Sequence, residues 1–161
     1  MKKLQLRTLG GALLAIFMLA ALAQGVVSAQ GGNGGNLVGS WNQQVSLRDC
    51  DSGIVFVSFP AMTTFALGGT SQQTAPPAPG STFLPGHGVW SHQAGGGYSG
   101  AFQFFGLNPD GSVATRTIVR SAITLEKDGN SYHSTDTSET LNANGDLLLR
   151  ACSTTTATRF E

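Results

Sequence analysis

Three histidines, His87, His92 and His133, are the residues of this sequence best suited to proton transfer near neutral pH. His92 stands two positions after Trp90, so the two side chains share a face of an extended strand. If Trp90 faces the interior of the fold, His92 also faces it and could orient a ligand or act as an acid or base. A solvent-facing or hydrogen-bonded His92 is the alternative. His87 and His92 lack the usual spacing of metal ligands, so no metal site is predicted.

The carboxylates separate into two groups. Most stand in Gly-, Asn- and Ser-rich segments, where turn chemistry explains them: Asp49, Asp51, Asp110, Asp128 and Asp146. Asp136 and Glu139 instead lie within a strand-like segment, and their odd separation predicts that one of them faces inward. Catalysis by proton transfer would require that carboxylate to meet His92. No nucleophile elbow or phosphate-binding loop occurs, so no catalytic residue and no cofactor is predicted.

The first 29 residues have the pattern of an export signal. Lys2, Lys3 and Arg7 precede an apolar run over 9–23, and small residues at 27–29 offer a cleavage site. An uncleaved membrane anchor is the alternative. The pattern predicts a periplasmic or secreted protein with a flexible leader at 30–36 and one domain at 37–161.

Cys50 and Cys152 are the two cysteines of the chain. An even number of cysteines in an exported protein predicts a disulfide, with two buried free thiols as the alternative. Removal of the signal takes away three of the nine basic residues and no acidic residue, which leaves a mildly acidic protein. Nucleic acid is therefore not an expected partner, and no second apolar stretch is long enough to span a membrane. The sequence does not indicate a protein partner.

The elements that must position these side chains are strands separated by Gly, Asn, Asp and Pro turns. Pro60 predicts a bulge or an edge-like break within the second strand. The Pro- and Gly-rich segment 74–88 is predicted to be one long irregular loop. Eight strands are expected, at 37–47, 54–67, 70–73, 89–93, 98–107, 112–126, 131–141 and 146–160.

The predicted fold class is all-β, a single eight-stranded antiparallel up-and-down barrel. Such a meander would have two bare edges unless it closed. An eight-stranded barrel holds either packed side chains or one small ligand. Aromatic residues at alternating strand positions predict one aromatic wall, with a filled core as the alternative. Together with His92 they form the predicted ligand-binding set: Phe59, Phe65, Trp90, Tyr98, Phe102 and Phe104.

Gly39-Ser40-Trp41 on the first strand and Arg159 on the last resemble the marks of calycin and lipocalin barrels. The resemblance implies a closed barrel in which Arg159 caps Trp41 where the chain ends meet, a structural role for both residues. No helix is predicted near the end of the chain, which favours a minimal calycin-like barrel over a true lipocalin.

The chain is also similar to an uncharacterised family of exported bacterial proteins. The ordered motifs that carry this resemblance cover nearly the whole mature chain, and the family implies no activity or catalytic residue. They are Gly39-Ser40-Trp41, Asp49-Cys50-Asp51-Ser52-Gly53, the segment 64–70, Gly86-His87-Gly88-Val89-Trp90 and the segment 156–160.

Closure requires the first and last strands to pair antiparallel. If Cys50 faces Cys152, Trp41 lies opposite Glu161, and Arg159 lies opposite Gln43. Arg159 is then a diagonal neighbour of Trp41, within reach of its long side chain. The bridge and the Trp–Arg contact are thus compatible with one register.

The sequence is best interpreted as an exported binder or carrier of a small, mostly apolar or amphipathic molecule. An allene oxide cyclase-like barrel enzyme, a cyclase or isomerase, is the first alternative, and it depends on an inward His92. A non-catalytic protein-interaction barrel is the second, and it depends on a packed interior and an exposed apolar patch.

Overall fold

A computed structural model describes residues 36–77 and 79–160. Every regular element in these residues is a strand, and no helix there could cross a membrane. The predicted signal at 1–29 and leader residues 30–35 lie outside the described residues. The strands are β1 (Gly39–Arg48), β2 (Val55–Ala66), β3 (Thr70–Thr74), β4 (Thr82–Phe83), β5 (Gly86–His92), β6 (Tyr98–Leu107), β7 (Val113–Leu125), β8 (Ser131–Asn142) and β9 (Leu147–Arg159).

Eight of the strands form a closed antiparallel barrel in the order β1, β2, β3, β5, β6, β7, β8, β9. The pairing of β1 with β9 closes it. The predicted all-β barrel is therefore confirmed, and closure removes the two bare edges that an open meander would have. The two-residue β4 is an additional strand that pairs with Gly106 and Leu107 of β6.

Side-chain alternation sets the inner face of the barrel. On β8, Tyr132, Ser134 and Asp136 are buried while His133 and Thr135 between them are exposed. This period of two follows from the pleat of an extended strand. Polar residues occupy many inward positions, so the interior differs from an ordinary apolar core.

One end of the barrel is plugged by an apolar floor built on Leu37 and Trp41, both fully buried. Trp41 Nε1 donates a hydrogen bond to the Leu37 carbonyl at 2.9 Å. The Arg159 guanidinium lies 4.2 Å from the centroid of the Trp41 ring, a cation–π distance. Tyr132 and Phe65 complete the floor through edge-to-face contacts.

Arg159 also ties three chain segments together at this end. Its guanidinium donates to the carbonyl oxygens of Asn36, Val38 and Gly129 at 3.0, 2.8 and 2.8 Å. Those carbonyls belong to the entry of the chain and to the β7–β8 turn. The Trp–Arg contact thus fastens the beginning of the described chain to the end of β9.

The disulfide between Cys50 and Cys152 is confirmed, with a Cα–Cα distance of 5.0 Å. The register proposed from it is wrong by two residues, since Trp41 pairs with Arg159 and Arg48 pairs with Cys152. The reason is that β1 ends at Arg48 and Cys50 lies in the following turn. The bridge therefore reaches from the turn back to β9 instead of joining two paired strand residues.

The predicted irregular loop 74–88 is wrong at both ends. Thr74 belongs to β3, β4 occupies Thr82–Phe83, and β5 begins at Gly86. Leu84 N continues the β4 ladder by donating to Phe105 O at 2.9 Å. Pro85 then interrupts the ladder, because proline has no N–H to donate.

Among the described residues, the irregular segment is reduced to 75–77 and 79–81. It spans a gap in the wall, because β3 pairs with β2 only from Met62 to Ala66. Pro60 lies in the part of β2 that pairs with β1 alone, so the edge-like interpretation of this proline is confirmed. The long strands β1 and β2 thus face an opening at the end of the barrel opposite the floor, and residues 75–77 and 79 border it.

Candidate functional site

The barrel encloses a cavity of about 990 Å³ between the floor and the opposite end. This volume is at the upper end of the range typical of small-molecule pockets. Tyr132 and Ile123 border it near the floor, and Val57, Phe83 and Leu149 border it near the mouth. The interior is therefore not filled by side chains.

Aromatic side chains from β2, β4 and β6 form one wall of the cavity. Phe83 meets Phe104 edge-to-face at 5.6 Å, and Phe102 stacks on Phe104 at 6.3 Å between ring centroids. The ring of Phe102 packs close to Gly86, where an added Cβ would come within 2.9 Å of its Cδ2 atom. Glycine at this position of β5 thus gives the ring its place inside the barrel.

Hydroxyl groups from β7, β8 and β9 form the other wall, at positions separated by an even number of residues on each strand. Thr117 and Thr140 share a hydrogen bond of 3.0 Å across β7 and β8. This wall gives the cavity many hydrogen-bonding groups but little charge. Its members are Thr115, Thr117, Ser121, Ser134, Ser138, Thr140, Ser153 and Thr155.

Asp136 lies at the middle of the hydroxyl wall and is 7% exposed. Its Oδ1 accepts a hydrogen bond from Ser134 at 2.9 Å, and its Oδ2 accepts bonds from Ser153 at 3.1 Å and Thr155 at 3.0 Å. Of the two carboxylates within β8, Asp136 is the inward one. Glu139 lies on the outer surface, within 3.6 Å of Arg120 and 3.3 Å of Arg150.

A second cluster of hydrogen-bonded polar side chains surrounds Gln43 near the floor. The Gln43 amide donates to the Tyr132 hydroxyl at 2.5 Å, and its carbonyl accepts bonds from Thr63 and Gln73, both at 2.8 Å. Burial raises the pKa of Tyr132 far above its usual range, and the Asp136 charge adds to the rise against the opposing Gln43 hydrogen bond. The phenol is thus held neutral, as a hydroxyl that borders the cavity.

The predicted ligand-binding residues occupy two different places. Phe59, Phe65, Phe102 and Phe104 line the cavity. Trp90 and Tyr98 pack against the apolar floor, where the Trp90 ring meets Phe65 at 5.9 Å. Trp90 Nε1 donates to the carbonyls of Ala66 and Thr70, which fastens the β2–β3 turn.

His92 lies apart from the cavity lining. β5 ends at this residue, and the exposed ring contacts Tyr98 edge-to-face at 5.2 Å. A ligand-binding role for Trp90, Tyr98 and His92 stays a prediction, and it is one that the lining of the cavity does not support. His92 and Asp136 are not brought together.

The other two histidines are also exposed. His87 lies on β5 opposite Gln103 and not in a loop, and His133 contacts Glu126 at 2.8 Å on the outer surface. Within residues 36–77 and 79–160, no three metal-ligating side chains converge.

The turn carboxylates stabilise the turns in which they stand. The Ser52 backbone N–H lowers the pKa of Asp49, and the Ser112 hydroxyl lowers that of Asp110. The Asn130 N–H similarly lowers the pKa of Asp128. These contacts lie outside the barrel interior and form no site.

Sequence reasoning missed Gln43, Tyr132 and the hydroxyl partners of Asp136. The signal was present in β8, where Tyr132, Ser134 and Asp136 alternate with exposed residues. A strand whose buried positions are polar indicates an unfilled interior, because polar groups in a packed core would need partners.

No protein-family model matches the chain, and a search of curated proteins also gives no match. The closed eight-stranded barrel is compatible with a calycin-like fold. The resemblance to the exported bacterial family stays a prediction.

Proposed function

We propose that the protein is an exported binder or carrier of a small, mostly apolar molecule. The observation that carries this proposal is the cavity of about 990 Å³ inside a closed barrel, with an aromatic wall and Asp136 as the one formally charged side chain among its described lining residues. A preformed concave apolar site with a few polar groups is the usual form of a small-molecule site.

The mouth of the barrel supports the same function. Exposed apolar side chains lie at this end, including Ile54 just before β2 at 65%, Phe56 of β2 at 61% and Leu148 of β9 at 58%. Val57 and Leu149 continue this apolar surface into the cavity. These side chains give the mouth an apolar surface that an entering apolar molecule can contact.

Export is supported by the signal pattern and by the disulfide, which is consistent with an oxidising compartment. The enzyme alternative requires His92 and a carboxylate to act together on a ligand. The exposed position of His92 and the buried position of Asp136 remove the observation that favoured it. The interaction alternative requires a packed interior, which the cavity does not support.

The proposal is tested by titration with N-phenyl-1-naphthylamine, a neutral apolar dye that fluoresces in apolar surroundings. Gly100→Phe is the blocking variant, because Gly100 borders the cavity and an added Cβ meets nothing closer than 3.6 Å. Ala122→Phe is the matched control, since Ala122 is exposed on β7.

We expect saturable binding to the wild type and to Ala122→Phe, and a loss of about tenfold or more in affinity for Gly100→Phe. Equal binding by all three proteins would place the dye on the outer surface and contradict the proposal. Absence of saturable binding to the oxidised wild type would do so as well.

A further inference from the structure

Asp136 places a formal charge in the wall of an otherwise uncharged cavity. The described lining contains no Arg, Lys or His side chain. Arg120 and Arg150 pair with Glu139 on the outer surface, and Arg159 lies over Trp41 at the floor. Buried carboxylates are usually paired with a cation, because removal of the charge from water is costly. Asp136 therefore has hydrogen bonds but no counter-charge among residues 36–77 and 79–160.

The hydrogen bonds to Asp136 are unevenly distributed. Within the described part of the chain, Oδ2 accepts from both Ser153 and Thr155, whereas Oδ1 accepts from Ser134 alone. A carboxylate offers about four acceptor positions, two on each oxygen. Oδ1 therefore keeps one position for a donor from within the cavity.

The residues around this open acceptor position on Oδ1 indicate what kind of ligand would carry the donor. Asp136 is the middle one of the five β8 residues that line the cavity, so it lies at mid-depth between the floor and the mouth. Phe59 and Phe102 belong to the aromatic wall of the same cavity. A ligand that reaches Asp136 therefore carries its charged group next to a bulky apolar body.

We infer that the ligand is a cationic amphiphile, an apolar molecule with a protonated amine that donates a hydrogen bond to Asp136. This inference deepens the proposed function and depends on it. The amine supplies the missing counter-charge, and the three hydroxyl groups hold the carboxylate in position to receive it. Charge-assisted bonds of this kind are the strong ones in a site shielded from water.

The experiment compares three twelve-carbon competitors, dodecylamine, dodecan-1-ol and dodecanoate, below their micelle concentrations. Each displaces N-phenyl-1-naphthylamine from the oxidised protein at neutral pH and low protein concentration. The three molecules share one tail, so differences among them report the head group. We expect the amine to displace the dye at a concentration at least about tenfold lower than the alcohol, and the carboxylate to be weakest.

Two variants separate the effect of the Asp136 carboxylate on amine binding from the effect of the other negative charges of the protein. Asp136→Asn keeps the shape and should bring the amine and the alcohol to equal potency, with each potency measured against the dye affinity of the variant itself. Glu139→Gln removes the neighbouring outward carboxylate of β8 and should retain the full amine preference. The wild-type ratio needs no variant, so it tests the inference even if Asp136→Asn fails to fold.

Dye binding without an amine preference in the wild type would overturn the inference and leave the proposed function standing. An amine preference that persists in Asp136→Asn would also overturn it. If neither the dye nor any competitor binds the wild type, the proposed function fails and the inference fails with it.

Discussion

Asp136 and Glu139 lie three positions apart on β8, and the wall of the barrel separates their carboxylates. Asp136 is buried among hydroxyl groups facing the cavity, whereas Glu139 contacts two arginines on the outer surface. The odd separation places them on opposite faces of one strand. One pair of acidic residues therefore contains both a candidate ligand contact and its natural control.

Loss of the Trp41 side chain should be strongly destabilising. Trp41→Ala removes a fully buried indole from the floor, and we expect a loss of about 3–5 kcal/mol in the free energy of unfolding. Urea denaturation followed by far-UV circular dichroism measures it. Met62→Ala on exposed β2 surface is the control, and similar losses for both variants would refute the role of the floor.

Arg159→Met should destabilise the protein by about 2 kcal/mol. The substitution keeps much of the stem over the Trp41 ring but removes the charge and the bonds to three backbone carbonyls. Arg150→Met removes an exposed surface pair and should cost less than about 1 kcal/mol. Equal midpoints of urea unfolding for the two variants would contradict the claim that Arg159 stabilises the fold more than Arg150.

Reduction of the disulfide should lower stability by about 4–5 kcal/mol, since the bridge joins residues 102 positions apart and restricts the unfolded chain. Urea unfolding with and without dithiothreitol measures the difference. The double variant Cys50→Ala/Cys152→Ala should be insensitive to the reductant. Coincident wild-type curves under both conditions, with the oxidised bridge verified by mass, would argue against this stabilising role.

The raised pKa of Tyr132 predicts that the folded protein loses stability at alkaline pH. The folded-state pKa of this phenol is raised, so the folded protein retains a proton that the unfolded chain loses above about pH 10. Its contribution to stability is therefore complete below that pH and declines as the pH rises toward the folded pKa. Urea midpoints measured across the alkaline range test this.

Tyr132→Phe should flatten the alkaline decline and cost about 1 kcal/mol at neutral pH through loss of the bond from Gln43. Tyr98→Phe, in the floor and outside the cavity lining, is the control and should keep the wild-type slope. An unchanged slope in Tyr132→Phe would show that another group governs the alkaline transition.

Phe102 and His92 should differ in their effect on ligand binding. Phe102→Ala removes part of the aromatic wall and should weaken N-phenyl-1-naphthylamine binding by about tenfold. His92→Gln changes an exposed side chain outside the cavity and should leave binding unchanged. Weaker binding by His92→Gln together with unchanged binding by Phe102→Ala would instead support His92 as a ligand contact.

Much of the fold was predictable because its signals are local. Turn residues and period-two patterns define the long strands, and closure follows from the need to protect sheet edges. The two-residue β4 was missed because four prolines surround it in the sequence. The pairing of Trp41 with Arg159 was displaced by two residues because the register was counted from Cys50 facing Cys152, whereas Cys152 pairs with Arg48 and Cys50 lies beyond the paired residues.

The site was only partly predictable, because alternation gives the face of a strand but not the depth within a barrel. Trp90 and Phe102 are both aromatic residues at alternating strand positions, yet Trp90 packs against the floor and Phe102 lines the cavity. Depth depends on the stagger between strands, which is a property of the whole closed sheet. The hydroxyl contacts of Asp136 depend on the same long-range register.

Native mass spectrometry of the oxidised protein with dodecylamine tests the central claim most directly. We predict a one-to-one complex for the wild type, a strong reduction of that complex in Gly100→Phe, and full retention in Ala122→Phe. A wild-type protein that stays bare up to the micelle concentration of the amine would contradict a cavity that binds this cationic amphiphile. A complex that persists equally in all three proteins would contradict it too.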